Sequence, residues 1–350
     1  MNTLITPVCG KSTRFPNLRP KWMLTHPNGN FMVVQSILGL NLSEFSKIVI
    51  TALEEHETQF KFLKGLTENL ESEGLGKKVS VNFLKKLTDS QPETIYEIIK
   101  QEKIKGSIFI KDCDNFFHVK NTKPQNCIIY SCLADSEEIN PNNKSYIKLN
   151  QQGIVENIIE KQIISTTFSC GGYGFENAND FCKTFKKLQM LKKDLYISDV
   201  VFDMMLEGKV FYGVQSSNYS DWGTVEAWNK YKENFKTLFI DMDGTLVQHS
   251  SSHFPPYIGE TSPLQKNITH LLELHTRQNL TIIITTSRKE KYRKDTEKQL
   301  KTCGLPYNKL IMGLPHGKRY IINDFSNSNP YPAAVAINLK RDGDDLKNYL

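Results

Sequence analysis

No apolar run in this chain approaches the roughly 18 residues that a membrane span needs, so a transmembrane protein is not expected. The first residues, MNTLITPVCGKSTRF, lack a charged segment leading into a long apolar stretch, so no secretory signal is expected. The seven cysteines (Cys9, Cys113, Cys127, Cys132, Cys170, Cys182 and Cys303) show no Cys-x-x-Cys spacing, which argues against a zinc site. Their odd number and apolar surroundings suit free thiols in a reducing, cytoplasmic compartment. There is no internal repeat, no low-complexity tract and no stripe of alternating aromatic and basic residues of the kind that binds single strands. A net charge of +6 on 350 residues favours small anions over nucleic acid. The basic stretch SRKEKYRKDTEKQLK (287–301) alternates sign and reads as a solvated helix face.

What is present exceeds one ordinary core, so two domains are expected. TLITPV (3–8), KIVITAL (47–53), VSVNFLK (79–85) and GSIFIKDCDNFF (106–117) read as strands. EHETQFKFLKGLTENLES and PETIYEIIKQEKI read as the helices between them, so the chain begins as an α/β unit with parallel strands covered on both faces. The pattern then changes. KSYIKLNQQGIVENIIEKQ (144–162) reads as two strands around a turn, and helices follow FSCGGYGF, which makes the sheet mixed. After VEAWNKYKENF the alternation restarts with TLFIDMDGT, LQKNITHLLELHTRQ, LTIIITTS, YRKDTEKQLKTCG, KLIMG, KRYIINDF and AAVAINL. The boundary falls near 235, giving domains 1–235 and 236–350, both Rossmann-like. No Gly/Ser/Pro tract marks the junction, which argues against a long flexible tether.

PVCGKSTRFPNLRPKWML (7–24) runs from a strand into small residues, then Arg14 and Lys21. Small residues let backbone N–H groups approach a phosphate chain, and fixed cations neutralise it. The alternative is an ordinary strand-to-helix turn with surface cations. Asp114 in DCDNFF and Asp221 in SDWGT are carboxylates that can share one Mg2+, with nucleotide phosphates completing its shell. Each alone also suits a turn or cap aspartate. Asp112, two residues before Asp114, is a rival ligand.

In order, these stretches resemble the pyrophosphorylase-type sugar-phosphate nucleotidyltransferases, whose fold is related to GT-A. The resemblance rests on Gly10, Thr13 and Arg14 with RPKWML, on CDNFF, on IIEKQ (158–162), on SCGGYGF (169–175), on SQPETIYE (90–97) and on DWGT. It implies transfer of a nucleotidyl group from an NTP to a phosphorylated acceptor, with release of pyrophosphate. In that reading Gly10, Ser12 and Thr13 cradle the triphosphate, Arg14 meets the leaving phosphates, and Lys21 bridges the α-phosphate and the acceptor phosphate. Lys161 holds the acceptor phosphate, Glu160 and Gly172 line the acceptor site, and Gln91 contacts the base. Asp114 and Asp221 bind Mg2+. The KWML variant is similar to the surface-polysaccharide branch, which makes CTP the favoured nucleotide and a sugar or polyol phosphate the acceptor. The sequence departs from the family pattern at Ser12, Thr94 and Gln162.

DMDGT (241–245) resembles the signature of the haloacid-dehalogenase superfamily. Asp241 would attack phosphorus to form an aspartyl phosphate, and Asp243 would protonate the leaving group and then activate water. A second Mg2+ brings the two anions together. The resemblance extends to Thr286 in IIITTSR as the phosphate-binding hydroxyl, to Lys318 (with Lys309 as rival) as the basic residue, and to Asp324 in YIINDF as the acidic one, with Asn323 in place of a second acid. Asp241, Asp243 and Asp324 would hold the metal. The spacing leaves no room for a cap domain. The expectation is a bifunctional transferase and phosphatase of surface-polysaccharide precursor synthesis, free or as a homo-oligomer, binding neither nucleic acid nor membrane. Its rivals are a transferase with a non-catalytic scaffold and a nucleic-acid end-processing enzyme.

Overall fold

The computed structural model describes residues 1–135, 140–324 and 333–350. They form two compact units, Met1–Asn229 and Lys230–Leu350.

The first unit begins with β1 (Asn2–Pro7), α1 (Met32–Ile37), β2 (Lys47–Leu53), α2 (Glu54–Phe60), α3 (Leu63–Ser72), β3 (Val79–Leu84), α4 (Gln91–Gln101) and β4 (Ser107–Lys111). β1 lies between β2 and β4 and is parallel to both, with β3 parallel to β2 on the outside. Successive residues of a strand face opposite ways. Leu4, Ile48, Ile50 and Phe109 therefore pack on one side with Trp22, Val33, Ile37 and Leu66. Ile5, Val49, Ile108 and Ile110 pack on the other with Ile95 and Ile98 of α4. Both faces are covered, which accounts for the nearly continuous apolar runs of these strands.

Next come β5 (Asn115–His118), β6 (Cys127–Cys132), β7 (Ser145–Leu149), β8 (Val155–Glu160), β9 (Thr167–Phe175), α5 (Ala178–Gln189), α6 (Ile197–Leu206), β10 (Tyr212–Gln215) and β11 (Ser217–Asp221). β9 runs antiparallel between β4 and β6, and the sheet order is β10-β6-β9-β4-β1-β2-β3. The β7–β8 hairpin joins β9 through the pair Tyr146 and Phe168. β5 and β11 leave the main sheet and pair with each other as an antiparallel ribbon.

Two sequence expectations change here. The single helix expected after β2 is split at Lys61, whose φ of 47° is left-handed; the turn swings Phe62 into the core, edge-on to Trp22 at 4.7 Å. The strand expected over 106–117 breaks after Lys111, and the chain turns there into β5.

α7 (Val225–Lys232) spans the sequence boundary between the units. The second unit holds β12 (Phe235–Asp241), α8 (Gln265–Arg277), β13 (Asn279–Thr285), α9 (Arg293–Cys303) and β14 (Lys309–Ile311). The strands are parallel in the order β12-β13-β14. Met242, Leu246, Ile268, Leu271, Ile282, Ile284 and Leu300 form its core. The strands expected in KRYIINDF and AAVAINL are not formed over 318–324 or 333–339. Tyr320 and Ile322 are 79 % and 91 % exposed. Their apolar character predicts a strand, but among the described residues no strand pairs with them, and an unpaired strand has no ladder to hold it. Phe325 and the residues to 332 lie outside the described ones. Among the described residues no helix is long and apolar enough to cross a membrane.

Candidate functional site

The loop after β1 is held at its two ends and open between them. Phe15 is buried and its N–H donates to the Ser12 carbonyl at 2.8 Å. Ser12 adopts a left-handed φ of 50°. Its hydroxyl accepts the Lys21 N–H at 3.1 Å, which ties the loop to the short helical turn Lys21–Met23. Trp22 and Met23 are buried, so Lys21 stands on a fixed base. Gly10, Thr13 and Arg14 are exposed. Gly10, Ser12, Arg14 and Lys21 line a cleft of about 480 Å³ together with Gln91, Asp112 and Asp114; Thr13 is not among its walls.

The β5–β11 ribbon brings the two expected metal ligands together. Asp221 pairs with Asn115, and the Trp222 N–H donates to the Asp114 carbonyl at 2.9 Å. Trp222 is buried and stacks on Phe116 at 5.9 Å. Gly223 shows how close the carboxylates come. A Cβ placed there would lie 3.0 Å from Asp221 Oδ1, 3.3 Å from Arg14 and 3.4 Å from Asp114 Oδ2. The glycine leaves a gap bordered by both acids.

Each acid holds a cation. Lys21 Nζ pairs with Asp114 Oδ2, and Arg14 reaches the same oxygen at 3.5 Å. Lys144, which the sequence reading missed, donates to Asp221 Oδ2 at 2.5 Å and to the Tyr219 hydroxyl at 2.7 Å. Burial pushes the Asp114 pKa up, but Lys21, Arg14 and Lys144 together outweigh it and hold the carboxyl well below its usual range. Lys21 is the mirror case: burial lowers its pKa, and Asp114 more than restores it.

Among the described residues no cluster of three or more His, Cys, Asp or Glu side chains is set to hold a metal. Two carboxylate oxygens beside an unfilled gap nevertheless suit a hard cation that takes its remaining ligands from phosphates and water. Asp114 and Asp221 fit Mg2+ in that sense.

Asp112 serves a different purpose. Its Oδ1 accepts from Gln91 Nε2 at 2.5 Å, so the side chain expected to contact a base is already tied to an acid. Gly171, at φ +78°, carries no side chain because a Cβ there would sit 2.3 Å from Asp112 Oδ2. Burial, and then the nearby Asp114, raise the Asp112 pKa. Lys111 lies beneath this turn, wholly buried. Its ammonium donates to the Asp112 carbonyl (2.7 Å), the Asn115 carbonyl (3.0 Å) and Asn115 Oδ1 (2.6 Å), and lies 4.5 Å from the Phe117 ring centroid. Burial lowers its pKa to about 8. A lysine inside an apolar strand was readable as an anomaly, but the role came only with the turn.

On the β7–β8 hairpin, Glu160 Oε2 accepts from the Ser145 hydroxyl and from Ser198 Oγ at 3.1 Å. Lys161 is exposed, has φ 55° and donates to the Tyr196 hydroxyl at 2.8 Å. Gly172 sits in the sheet, where a Cβ would strike Ile129 at 2.8 Å and Phe117 at 2.9 Å, so its place is explained by packing.

In the second unit Asp241 ends β12 beside Thr285 of β13. Burial raises its pKa, while Arg319, at 3.0 Å, works against that. Arg319 is the cation at Asp241; Lys318 and Lys309 are both exposed, with no ion pair to it. Asp243 is gripped by Arg288, whose Nε and Nη2 donate at 2.8 and 2.6 Å. The Ser250 hydroxyl adds a bond at 2.7 Å and Thr286 a longer one at 3.4 Å. A carboxylate has roughly four lone-pair directions, so Asp243 has little acceptor capacity left. Arg288 is 4 % exposed and also donates to Gln299 at 2.8 Å. It corrects the reading of 287–301 as a solvated face throughout. Asp324 is exposed, and among the described residues it forms no group of three metal-holding side chains with Asp241 and Asp243.

The sequence matches no protein-family model and no curated protein. Solved structures do resemble the chain. A nucleoside-diphosphate-sugar pyrophosphorylase from Vibrio cholerae superposes with a TM-score of 0.54 at 18 % identity, covering 65 % of this chain and 98 % of its own. The inositol-1-phosphate CTP transferase of T. maritima gives 0.52 at 14 %, covering 65 % and 91 %. A UDP-glucose pyrophosphorylase complexed with UDP-glucose gives 0.51 at 14 %, covering 67 % and 99 %. At these identities the likeness shows the fold: an α/β nucleotidyltransferase fold with a mixed sheet.

Proposed function

We propose that the first unit transfers a nucleotidyl group from an NTP to a sugar or polyol phosphate and releases pyrophosphate. The observation that carries the reading is the convergence of Arg14 and Lys21 from one loop on Asp114, with Asp221 brought alongside by the β5–β11 ribbon. An acceptor phosphate oxygen forms the new bond to the α-phosphorus, and the bond to the β-phosphate oxygen breaks, its electron pair leaving with pyrophosphate. The step needs positioning and charge neutralisation more than proton transfer. Arg14 and Lys21 meet the negative charge of the phosphate chain. Lys161, on the exposed end of the hairpin, meets the acceptor phosphate. Magnesium, when held by Asp114 and Asp221, adds charge neutralisation at the phosphates. CTP is the nucleotide we favour; the T. maritima neighbour is named for CTP, while other neighbours are named for other nucleotides.

For the second unit the sequence motif supports phosphomonoester hydrolysis, with Asp241 as nucleophile and Thr286 on the adjacent strand end. A second reading, a non-catalytic scaffold, is favoured by Asp243 having most of its acceptor capacity taken by Arg288 and Ser250. One panel tests both. Pyrophosphate and phosphate release are followed with product masses over NTPs and sugar or polyol phosphates, for wild type, Asp221→Ala and Asp241→Asn. Loss of pyrophosphate release only in the first variant supports transfer by the first unit; release that survives it refutes the site. Loss of phosphate release in the second variant supports the hydrolase; no phosphate release from wild type supports the scaffold.

A further inference from the structure

Lys144 is a cation that neither motif nor spacing singles out. It lies just before β7, and its carbonyl accepts the Lys161 N–H at 2.9 Å, so the two lysines are anchored side by side at the open end of one hairpin. Their side chains part. Lys161 reaches Tyr196, while Lys144 turns to Asp221 and Tyr219. The Lys144 side chain is 12 % exposed, and its ammonium lies 5.2 and 5.9 Å from the ring centroids of Tyr219 and Phe168.

Asp221 is thus used twice over. Oδ2 is taken by Lys144, and Oδ1 accepts the Gly223 N–H at 2.8 Å while bordering the gap shared with Asp114. A divalent cation entering that gap would meet an ammonium on the same carboxylate, in a place too enclosed for water to screen the repulsion well. One of the two positive charges must yield. An ammonium on a flexible stem moves at little cost, and the backbone bond to Lys161 keeps the base of that stem beside Lys161.

Building on the transferase reading, we propose that Lys144 is a resident counterion of Asp221 that competes with the divalent cation and, once displaced, neutralises the transferring phosphate beside Lys161. The lysine keeps the acid pair compensated in the empty enzyme and supplies the displaced charge where the reaction uses it.

The test is Mn2+ binding to the full chain without nucleotide, read from the loss of the free-ion EPR signal, paired with pyrophosphate release. Lys144→Met should bind Mn2+ at least tenfold more tightly than wild type and lose about a hundredfold in kcat, with the KM for NTP changed far less. Lys144→Arg should return Mn2+ affinity to near the wild-type value. Tyr219→Phe, which removes only the hydroxyl that helps hold the ammonium, should tighten Mn2+ binding to a smaller degree and covers the case in which Lys144→Met does not fold. Equal or weaker Mn2+ binding in Lys144→Met, or in Tyr219→Phe if that is the folded variant, overturns the proposal, as does tighter binding with unchanged kcat. If wild type binds Mn2+ in a manner lost in Asp221→Ala but releases no pyrophosphate from any NTP, the transferase reading fails, while the competition between Lys144 and the metal is still measured.

Discussion

Both units place a pair of acids at the ends of strands, and they treat them differently. In the first, Asp114 and Asp221 are met by lysines, compact charges on flexible stems, and a glycine leaves a gap between them. In the second, Asp243 is met by the planar fork of a buried arginine that is itself held by Gln299. A lysine gives way to an incoming cation; a forked, buried guanidinium does not do so without leaving an uncompensated charge. The first arrangement suits acids that must change partners during a reaction. The second suits an acid that keeps its partner.

The comparison breaks if the acids prove equally replaceable. The largest effect is expected for Asp221→Ala, which should reduce pyrophosphate release by roughly a thousandfold or more, with phosphate release from the second unit, where present, unaltered. Next is Arg288→Met. It strands Asp243 in the interior and should destabilise the second unit by about 3 kcal/mol, seen as an earlier denaturant transition of the full chain, with pyrophosphate release intact below that transition. An unchanged transition would mean that the Arg288 grip is incidental.

A smaller and pH-dependent effect is expected at Lys111. Its folded pKa is about 8, against 10.5 for the free group. Between those values the unfolded chain binds more protons, so the stability of the wild type rises with pH across the window. The cost of burying the charge is complete below pH 8 and gone above pH 10.5. Lys111→Met removes the charge, and its stability relative to wild type should therefore fall by about 3 kcal/mol between pH 7 and 10.5, measured by urea midpoints. A flat difference would show that burial leaves the Lys111 pKa where it is in the unfolded chain. The smallest effect is expected at exposed Lys161. Lys161→Met should raise the KM for the phosphorylated acceptor by about tenfold and leave the KM for NTP nearly unchanged.

The residues that were legible in the sequence are those whose local setting betrays them. β1, β2 and β4 are largely apolar and β-branched runs, and Arg14, Lys21, Asp114 and Asp221 stand at strand ends or in loops between recognisable elements. Those that were not legible owe their setting to distant partners. β6 is a short run between polar loops, and only β9 and β10 on either side make it a strand. Lys144 looks like any loop lysine until Asp221, far along the chain, folds against it. Arg288 opens a stretch of alternating charge, and its partners Asp243 and Gln299 are set by the fold. The opposite error occurs at 320–324, where apolar residues suggest a strand that no neighbour among the described residues pairs.

The β5–β11 ribbon has a consequence for synthesis. Asp114 leaves the ribosome early, while Asp221 is among the last parts of the first unit to emerge, and only their pairing in the ribbon creates the gap beside Gly223. A nascent chain that stalls or is cut before Asp221 holds the loop after β1 and one acid, but not the pair. The acid pair is thus assembled only after nearly the whole of the first unit has been made.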